Sequence, residues 1–150
     1  MQSKLKFNKI AIIGLGLIGS SIALAIKKNK IAKSVSGYAK SLKTRQIAEK
    51  IKLASKVESS LKAAVKNADL IIICTPLSSY KKIFKSIKLH LKDGVIITDV
   101  GSAKTKSMQE AQSILGDKLE FIPAHPIAGT EKSGPESGFA ELFINRWCII

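Results

Sequence analysis

Short apolar runs alternate along this chain with longer stretches in which apolar residues recur every three or four positions. The runs Ile10–Ile13, Ser34–Tyr38, Asp69–Cys74, Val95–Val100 and Leu119–Ile122 read as strands, with a weaker strand at Lys56–Val57. Between them, Ile18, Ile22, Ala25 and Ile26 fall at helical spacing, in a helix that ends near Lys27–Asn29. Leu42 to Ile51 reads as a second helix, with Leu42, Ile47 and Ile51 on its inner face, and Ser60 to Lys66 as a short third. Tyr80, Ile83, Phe84 and Ile87 mark a fourth, and Lys104 to Leu115, stopped by Gly116, a fifth. This alternation is the sequence form of a βαβ series and a parallel sheet. From His125 to Gly138 the texture changes to Pro, Gly, Ser, Thr and Glu, which predicts a long loop of the kind that carries function. Trp147–Ile150 begins a last strand. The chain stops inside that apolar run, so we expect it to be the front portion of a longer protein.

The first strand runs straight into Gly14-Leu15-Gly16-Leu17-Ile18-Gly19, a G-x-G-x-x-G that opens the first helix. Gly14 permits the tight strand-to-helix turn, Gly16 removes the Cβ that would block a pyrophosphate, and Gly19 lets the helix pack closely on the sheet. The helix N-terminus then offers unpaired N–H groups and partial positive charge to phosphates. Placed between a strand and a helix, with a second strand following, the motif predicts a dinucleotide-binding domain over residues 1–150. The fold class is α/β, a Rossmann-type doubly wound and mainly parallel sheet.

The second strand bears on which dinucleotide. NAD-preferring sites put Asp or Glu about 20 residues after the glycines, on the ribose hydroxyls. Here that position is Ala39, followed by Lys40 and Ser41. A carboxylate there would repel a 2′-phosphate, whereas Lys40, Ser41 and Arg45 can bind one. NADP is favoured over NAD. Thr75 and Pro76, ending the fourth strand, lie where the nicotinamide ribose should pass.

Composition narrows the picture further. Hydrophobic residues make up 45% and aromatics 5%, so the core must be built from Ile, Leu, Val and Ala. The longest apolar runs are far too short to cross a bilayer. Lys4, Lys6 and Lys9 precede an apolar stretch, but glycines break it where a signal peptide would present a cleavage site. The reading is a soluble, cytoplasmic protein without membrane partners. Cys74 and Cys148 lie in apolar runs at no metal-ligand spacing and are expected to be small buried core residues; no metal site is predicted. The net charge of +14 invites a nucleic-acid hypothesis. The lysines are scattered over helix faces, however, with no arginine-rich tract and no aromatic platform. Attraction of anionic cofactors and substrates accounts for the charge, and no nucleic-acid partner is expected.

Two more segments fall at the carboxyl ends of strands, where open α/β sheets place their chemistry. One is Thr98-Asp99-Val100-Gly101-Ser102-Ala103-Lys104; the other is His125-Pro126-Ile127-Ala128-Gly129-Thr130-Glu131-Lys132-Ser133-Gly134. The pair D-x-G-S-x-K and H-P-I-A-G-T-E-x-S-G, with G-L-G-L-I-G-S-S-I-A at positions 14–23, resembles the signature of prephenate/arogenate (cyclohexadienyl) dehydrogenases. The ending from Gly134-Pro135 to Arg146-Trp147-Cys148-Ile149 resembles the alphaproteobacterial cyclohexadienyl dehydrogenase branch. The resemblance covers essentially the whole chain; the decapeptide from His125 is its specific part, since many enzymes share the glycine turn.

The resemblance implies an oxidative decarboxylation. His125 would pair with the ring hydroxyl of the substrate and take its proton, and Ser102, with Gly101 beside the nicotinamide, would orient His125. Alcohol oxidation needs a base that works near neutrality, and imidazole supplies one. The other histidine, His90, sits near a helix end and reads as a solvent-facing or capping residue. Thr130, Glu131 and Ser133 are weaker candidates for the substrate pocket, each as readily explained by holding the loop in shape. Asp99 reads as a structural hydrogen-bond acceptor, since Ser102 and His125 already supply the expected parts. A substrate with two carboxylates calls for paired arginines, and only Arg45 and Arg146 are present. The family places its key arginine in a C-terminal helical domain that also forms the homodimer. We therefore expect the isolated chain to bind cofactor and turn over substrate poorly. Two other readings compete: a dehydrogenase of the 3-hydroxyacid type, and a non-catalytic nucleotide-sensing domain. Neither has a reason to carry the His125 decapeptide. The choice between prephenate and arogenate rests on contacts to a keto or amino group that the sequence leaves open.

Overall fold

The computed structural model describes residues 6–116 and 119–150; Lys4 lies outside them. Six strands form one wholly parallel sheet: β1 (Phe7–Ile13), β2 (Ala32–Tyr38), β3 (Lys56–Val57), β4 (Leu70–Ile73), β5 (Ile96–Asp99) and β6 (Glu120–Ile122). Their spatial order is β3-β2-β1-β4-β5-β6, so the winding reverses between β1 and β4. The helices are α1 (Leu17–Lys28), α2 (Leu42–Lys50), α3 (Leu61–Val65), α4 (Tyr80–Ile87) and α5 (Lys104–Leu115).

Alternation along β1 shows why the sheet is covered on both faces. Ile10 and Ile12 join Leu15, Ala23, Ile26, Val35 and Leu53 on the side of α1 and α2. Ala11 and Ile13 join Val65, Tyr80, Phe84, Ile97, Ala111 and Leu115 on the side of α3, α4 and α5. A strand flanked this way must be apolar at every position. Phe84 meets Tyr80 and Phe121 edge-on, with ring centroids 5.9 and 5.7 Å apart.

The strands and helices lie where periodicity puts them, with ends moved by one to three residues. β1 starts earlier than its apolar run because Asp69 accepts the N–H groups of Asn8 and Lys9 at 2.6 and 3.0 Å, extending pairing into polar sequence. Three expectations need correction. The inner face of α2 is not Leu42, Ile47 and Ile51: Leu42 and Ile51 are 60% and 40% exposed, and Ala48 is buried. This helix covers the short edge of the sheet, where β3 is two residues long, and only a small side chain comes close to it. Second, the cysteines are not both core residues, because Cys148 is exposed and Cys74 half-buried. Third, the segment from His125 to Gly138 is not wholly irregular. His125–Pro126 forms β7, antiparallel to β8 (Cys148–Ile149), and Pro135–Ser137 makes a 3-10 turn. The β7–β8 pair stands outside the main sheet, which leaves the side chains of Trp147–Ile150 exposed. No helix among the described residues is long and apolar enough to cross a membrane.

Candidate active site

The first corner is built by glycine sterics. Gly14 has φ +101°, and a Cβ there would stand 2.5 Å from the Cys74 carbonyl oxygen. At Gly19 a Cβ would stand 1.9 Å from the Gly14 carbonyl oxygen, so α1 can lie against the turn only with glycine at that position. Gly16 is different, since nothing lies within 4 Å of where its Cβ would be. The space above it is open, as a docked pyrophosphate requires. Gly16 is also the N-cap of α1, with no side-chain cap and no acidic residue in the first turn. By contrast α2 and α3 are capped by Ser41 and Ser60, whose hydroxyls accept the Thr44 and Ala63 N–H groups. α4 and α5 lack a side-chain cap as well, so what sets α1 apart is the glycine turn and the open space before its first N–H groups. Leu15 is buried beneath the turn, and Leu17 and Ile18 open the helix.

A cavity of about 170 Å³ adjoins this corner, lined by Gly14, Tyr38, Ala39, Lys40, Thr75 and Lys82 among others. Ala39 is buried, and Lys40 and Ser41 are exposed beside it. Arg45 donates from Nη1 to the carbonyls of Ala39 and Lys40 at 2.7 and 3.0 Å, and its guanidinium lies 6.0 Å from the Tyr38 ring centre. Part of this side chain is thus committed to the turn itself. On the far wall Ser79 donates to the Thr75 hydroxyl at 2.7 Å; Pro76 is exposed next to it. Lys82, from α4, is a wall residue that periodicity assigns only to a polar helix face.

At the ends of β5 and β6 the organiser is Asp99, 1% exposed. Its Oδ2 accepts the Tyr80 hydroxyl at 2.9 Å and the Gly101 N–H at 3.2 Å. Its Oδ1 accepts the Lys104 ammonium at 2.5 Å and the Ala124 N–H at 3.0 Å. Lys104 also donates to the Ala124 carbonyl at 2.7 Å. Burial, and then the adjacent Asp99 charge, push the Tyr80 hydroxyl far above its usual range, so it stays a donor. Burial, and then the Asp99 charge, likewise push the Cys74 thiol up, which disfavours its thiolate.

This network joins the two segments that the motifs single out. Ser102 and His125 follow neighbouring parallel strands, Ser102 exposed and His125 half-buried. The loop beyond His125 returns to α1, where the Ser21 hydroxyl accepts the Phe139 N–H at 3.1 Å and Pro135 is buried. Thr130, Glu131 and Ser133 are all exposed. The Thr130 hydroxyl accepts the Lys132 N–H and the Ser133 carbonyl accepts the Ser137 hydroxyl, bonds that shape the loop. Sequence reasoning gave no role to Lys104, Tyr80 or Ser21. A signal existed for Lys104, which stands five residues after Asp99 within the same motif.

A parallel sheet in this order, with an uncapped helix behind a glycine turn at its switch point, defines a Rossmann-type nucleotide-binding domain. The chain belongs to the family described as prephenate dehydrogenase, nucleotide-binding domain, whose model matches residues 22–150. It is 42% identical over 144 residues to the cyclohexadienyl dehydrogenase of Zymomonas mobilis, covering 96% of this chain and 49% of that protein. It is 41% identical over 145 residues to the prephenate dehydrogenase of Lactococcus lactis, covering 95% of this chain and 40% of that protein. Among solved structures it matches prephenate dehydrogenase from A. aeolicus in complex with hydroxyphenyl propionate and NAD+, with a TM-score of 0.87 and 26% identity. That match covers 97% of this chain and 51% of the other. The chain thus spans between 40% and 51% of the length of these three proteins.

Proposed function

We propose that this chain is the cofactor-binding part of an NAD(P)-dependent dehydrogenase that oxidatively decarboxylates prephenate, arogenate or both, on the route to tyrosine. The observation that carries the reading is the shared sheet edge: the open glycine corner after β1 and the Ser102 and His125 segments after β5 and β6 all lie at the carboxyl ends of parallel strands.

A bound nicotinamide supplies the acceptor for the hydride that leaves the hydroxyl-bearing ring carbon. The chain's residues do the rest. His125 accepts the hydroxyl proton as the carbon becomes a carbonyl, and Ser102 orients the imidazole and, with Gly101, would line the place of a bound nicotinamide. The ring-to-carboxylate bond then breaks, its electron pair enters the ring as CO2 leaves, and aromatisation drives the step. Gly14 to Gly19 and the N–H groups of Leu17 and Ile18 would receive the pyrophosphate of a bound dinucleotide. Thr75 and Pro76 would flank the nicotinamide ribose. Thr130 and Ser133 are the weaker candidates for substrate contacts on the exposed loop, Glu131 governs access or the charge near the substrate carboxylates, and the charge of +14 favours approach of an anion. The remaining substrate contacts and the homodimer interface belong, in this reading, to the further length seen in the relatives. The isolated chain then binds cofactor and turns over substrate poorly. The working protein is cytoplasmic.

His125→Asn in the full-length protein tests the assignment. Turnover should fall about 10²–10⁴-fold while cofactor affinity stays nearly unchanged. Turnover close to that of the parent removes His125 from the chemistry.

NADP is the favoured cofactor, because Ala39 stands where NAD sites carry a ribose-binding carboxylate and Lys40, Ser41 and Arg45 follow it as donors for a 2′-phosphate. Titrating this chain with both nucleotides should give the lower Kd for NADP+. Clearly tighter NAD+ binding overturns the preference and leaves the rest standing.

A further inference from the structure

Resting on that assignment of Ser102 and His125, we propose that Asp99 and Lys104 are positioning residues that set the two candidate catalytic side chains relative to one another. Asp99 holds the residue just before each of them: Oδ2 accepts the Gly101 N–H, ahead of Ser102, and Oδ1 accepts the Ala124 N–H, ahead of His125. Lys104 completes the grip by donating to the Ala124 carbonyl at 2.7 Å. That carbonyl shares its peptide plane with the His125 nitrogen, and the plane is rigid. Ala124 is therefore clamped through both of its backbone polar groups, by two side chains that are themselves paired at 2.5 Å. β7 pairing of His125 with Ile149 then fixes the strand from the other side.

Stability alone is a weak reason for such a pair. Burying a carboxylate and an ammonium costs about what their attraction returns, and apolar residues of similar volume often serve as well. What an apolar pair cannot do is hold the Gly101 and Ala124 amides at fixed points. Tyr80 spends its hydroxyl on the same carboxylate, which pins Asp99 from the α4 side. Four donors on one buried carboxylate leave it a single orientation.

The test uses the chain's two histidines, His90 and His125, as internal probe and control. In Lys104→Met the ring resonances of His125 should move or split in a carbon–proton correlation spectrum, while those of His90 stay in place. The same change in the full-length protein should lower kcat by about 10- to 100-fold, as expected for a slightly misplaced reacting group. The Kd for NADP+ should change less than twofold. Lys104→Gln, which keeps a donor on a shorter arm, should show a smaller displacement in the same sense and serves if the Met variant gives no folded spectrum. An unmoved His125 resonance together with parental kcat overturns the proposal. That failure is distinct from failure of the underlying assignment, which would show as undiminished turnover in His125→Asn.

Discussion

Two carboxylates at opposite ends of the sheet do the same thing in different surroundings. Asp69 precedes β4 at the amino edge, accepting the Asn8 and Lys9 N–H groups and pairing with Lys92. Asp99 ends β5 at the carboxyl edge, accepting the Gly101 and Ala124 N–H groups and pairing with Lys104. Each joins two chain segments and neutralises itself with one lysine. The surroundings separate them: the Asp69 side chain is 18% exposed and its lysine 40%, whereas the Asp99 side chain is sealed and its lysine 22% exposed. Water reaches both members of the pair at the amino edge, whereas at the carboxyl edge it reaches the lysine but not the carboxylate. One geometry therefore makes a stitch at one end and a rigid clamp beside the candidate chemistry at the other.

Asp99→Ala should be the most damaging change. It leaves the Lys104 ammonium and two backbone donors facing the place of a fully buried carboxylate, at a cost of about 3–5 kcal/mol. Urea denaturation of this chain measures it, and a loss under about 1 kcal/mol would mean that water enters the clamp and the contrast fails. Asp69→Ala removes as many backbone bonds but leaves donors that water reaches, so the loss should be nearer 1–2 kcal/mol. Equal losses at the two sites would show that burial is not what distinguishes them.

The smallest effect is a dependence on pH. The Lys92 hydrogen bond, then those of the Lys9 and Asn8 backbone, hold the Asp69 carboxyl below its ordinary value of 3.8. A depressed folded-state value contributes stability that is full above the unfolded value and is lost as pH falls through the folded one. The stability difference between the parent and Asp69→Ala should thus be constant from neutrality down to about pH 5 and shrink in acid below 3.8. A gap that widens on acidification would reverse the sign and the account.

Much of this was legible before folding was considered. Ile10 to Ile13, apolar at every position, announced a strand covered on both faces, and Gly14, Gly16 and Gly19 announced the corner that follows it. Periodicity misleads at α2, because it ranks Leu42 and Ile51 by hydrophobicity and carries no account of how much sheet lies beneath them. It misleads again at Cys148, whose apolar neighbours belong to a two-residue strand pair outside the main sheet.

What the amino-acid order determined by itself was local: element types, the glycine corner, the missing carboxylate at Ala39, and the placing of Ser102 and His125 after strands. Each follows from contacts between near neighbours or from a repeating pattern. Only tertiary structure decided that Tyr80, Gly101, Lys104 and Ala124 converge on one carboxylate, since those residues come from α4, from the start of α5 and from the ends of two strands. Which polar groups lose their water, and so must find one another, depends on how the layers close over them, and no pattern along a single strand or helix encodes that.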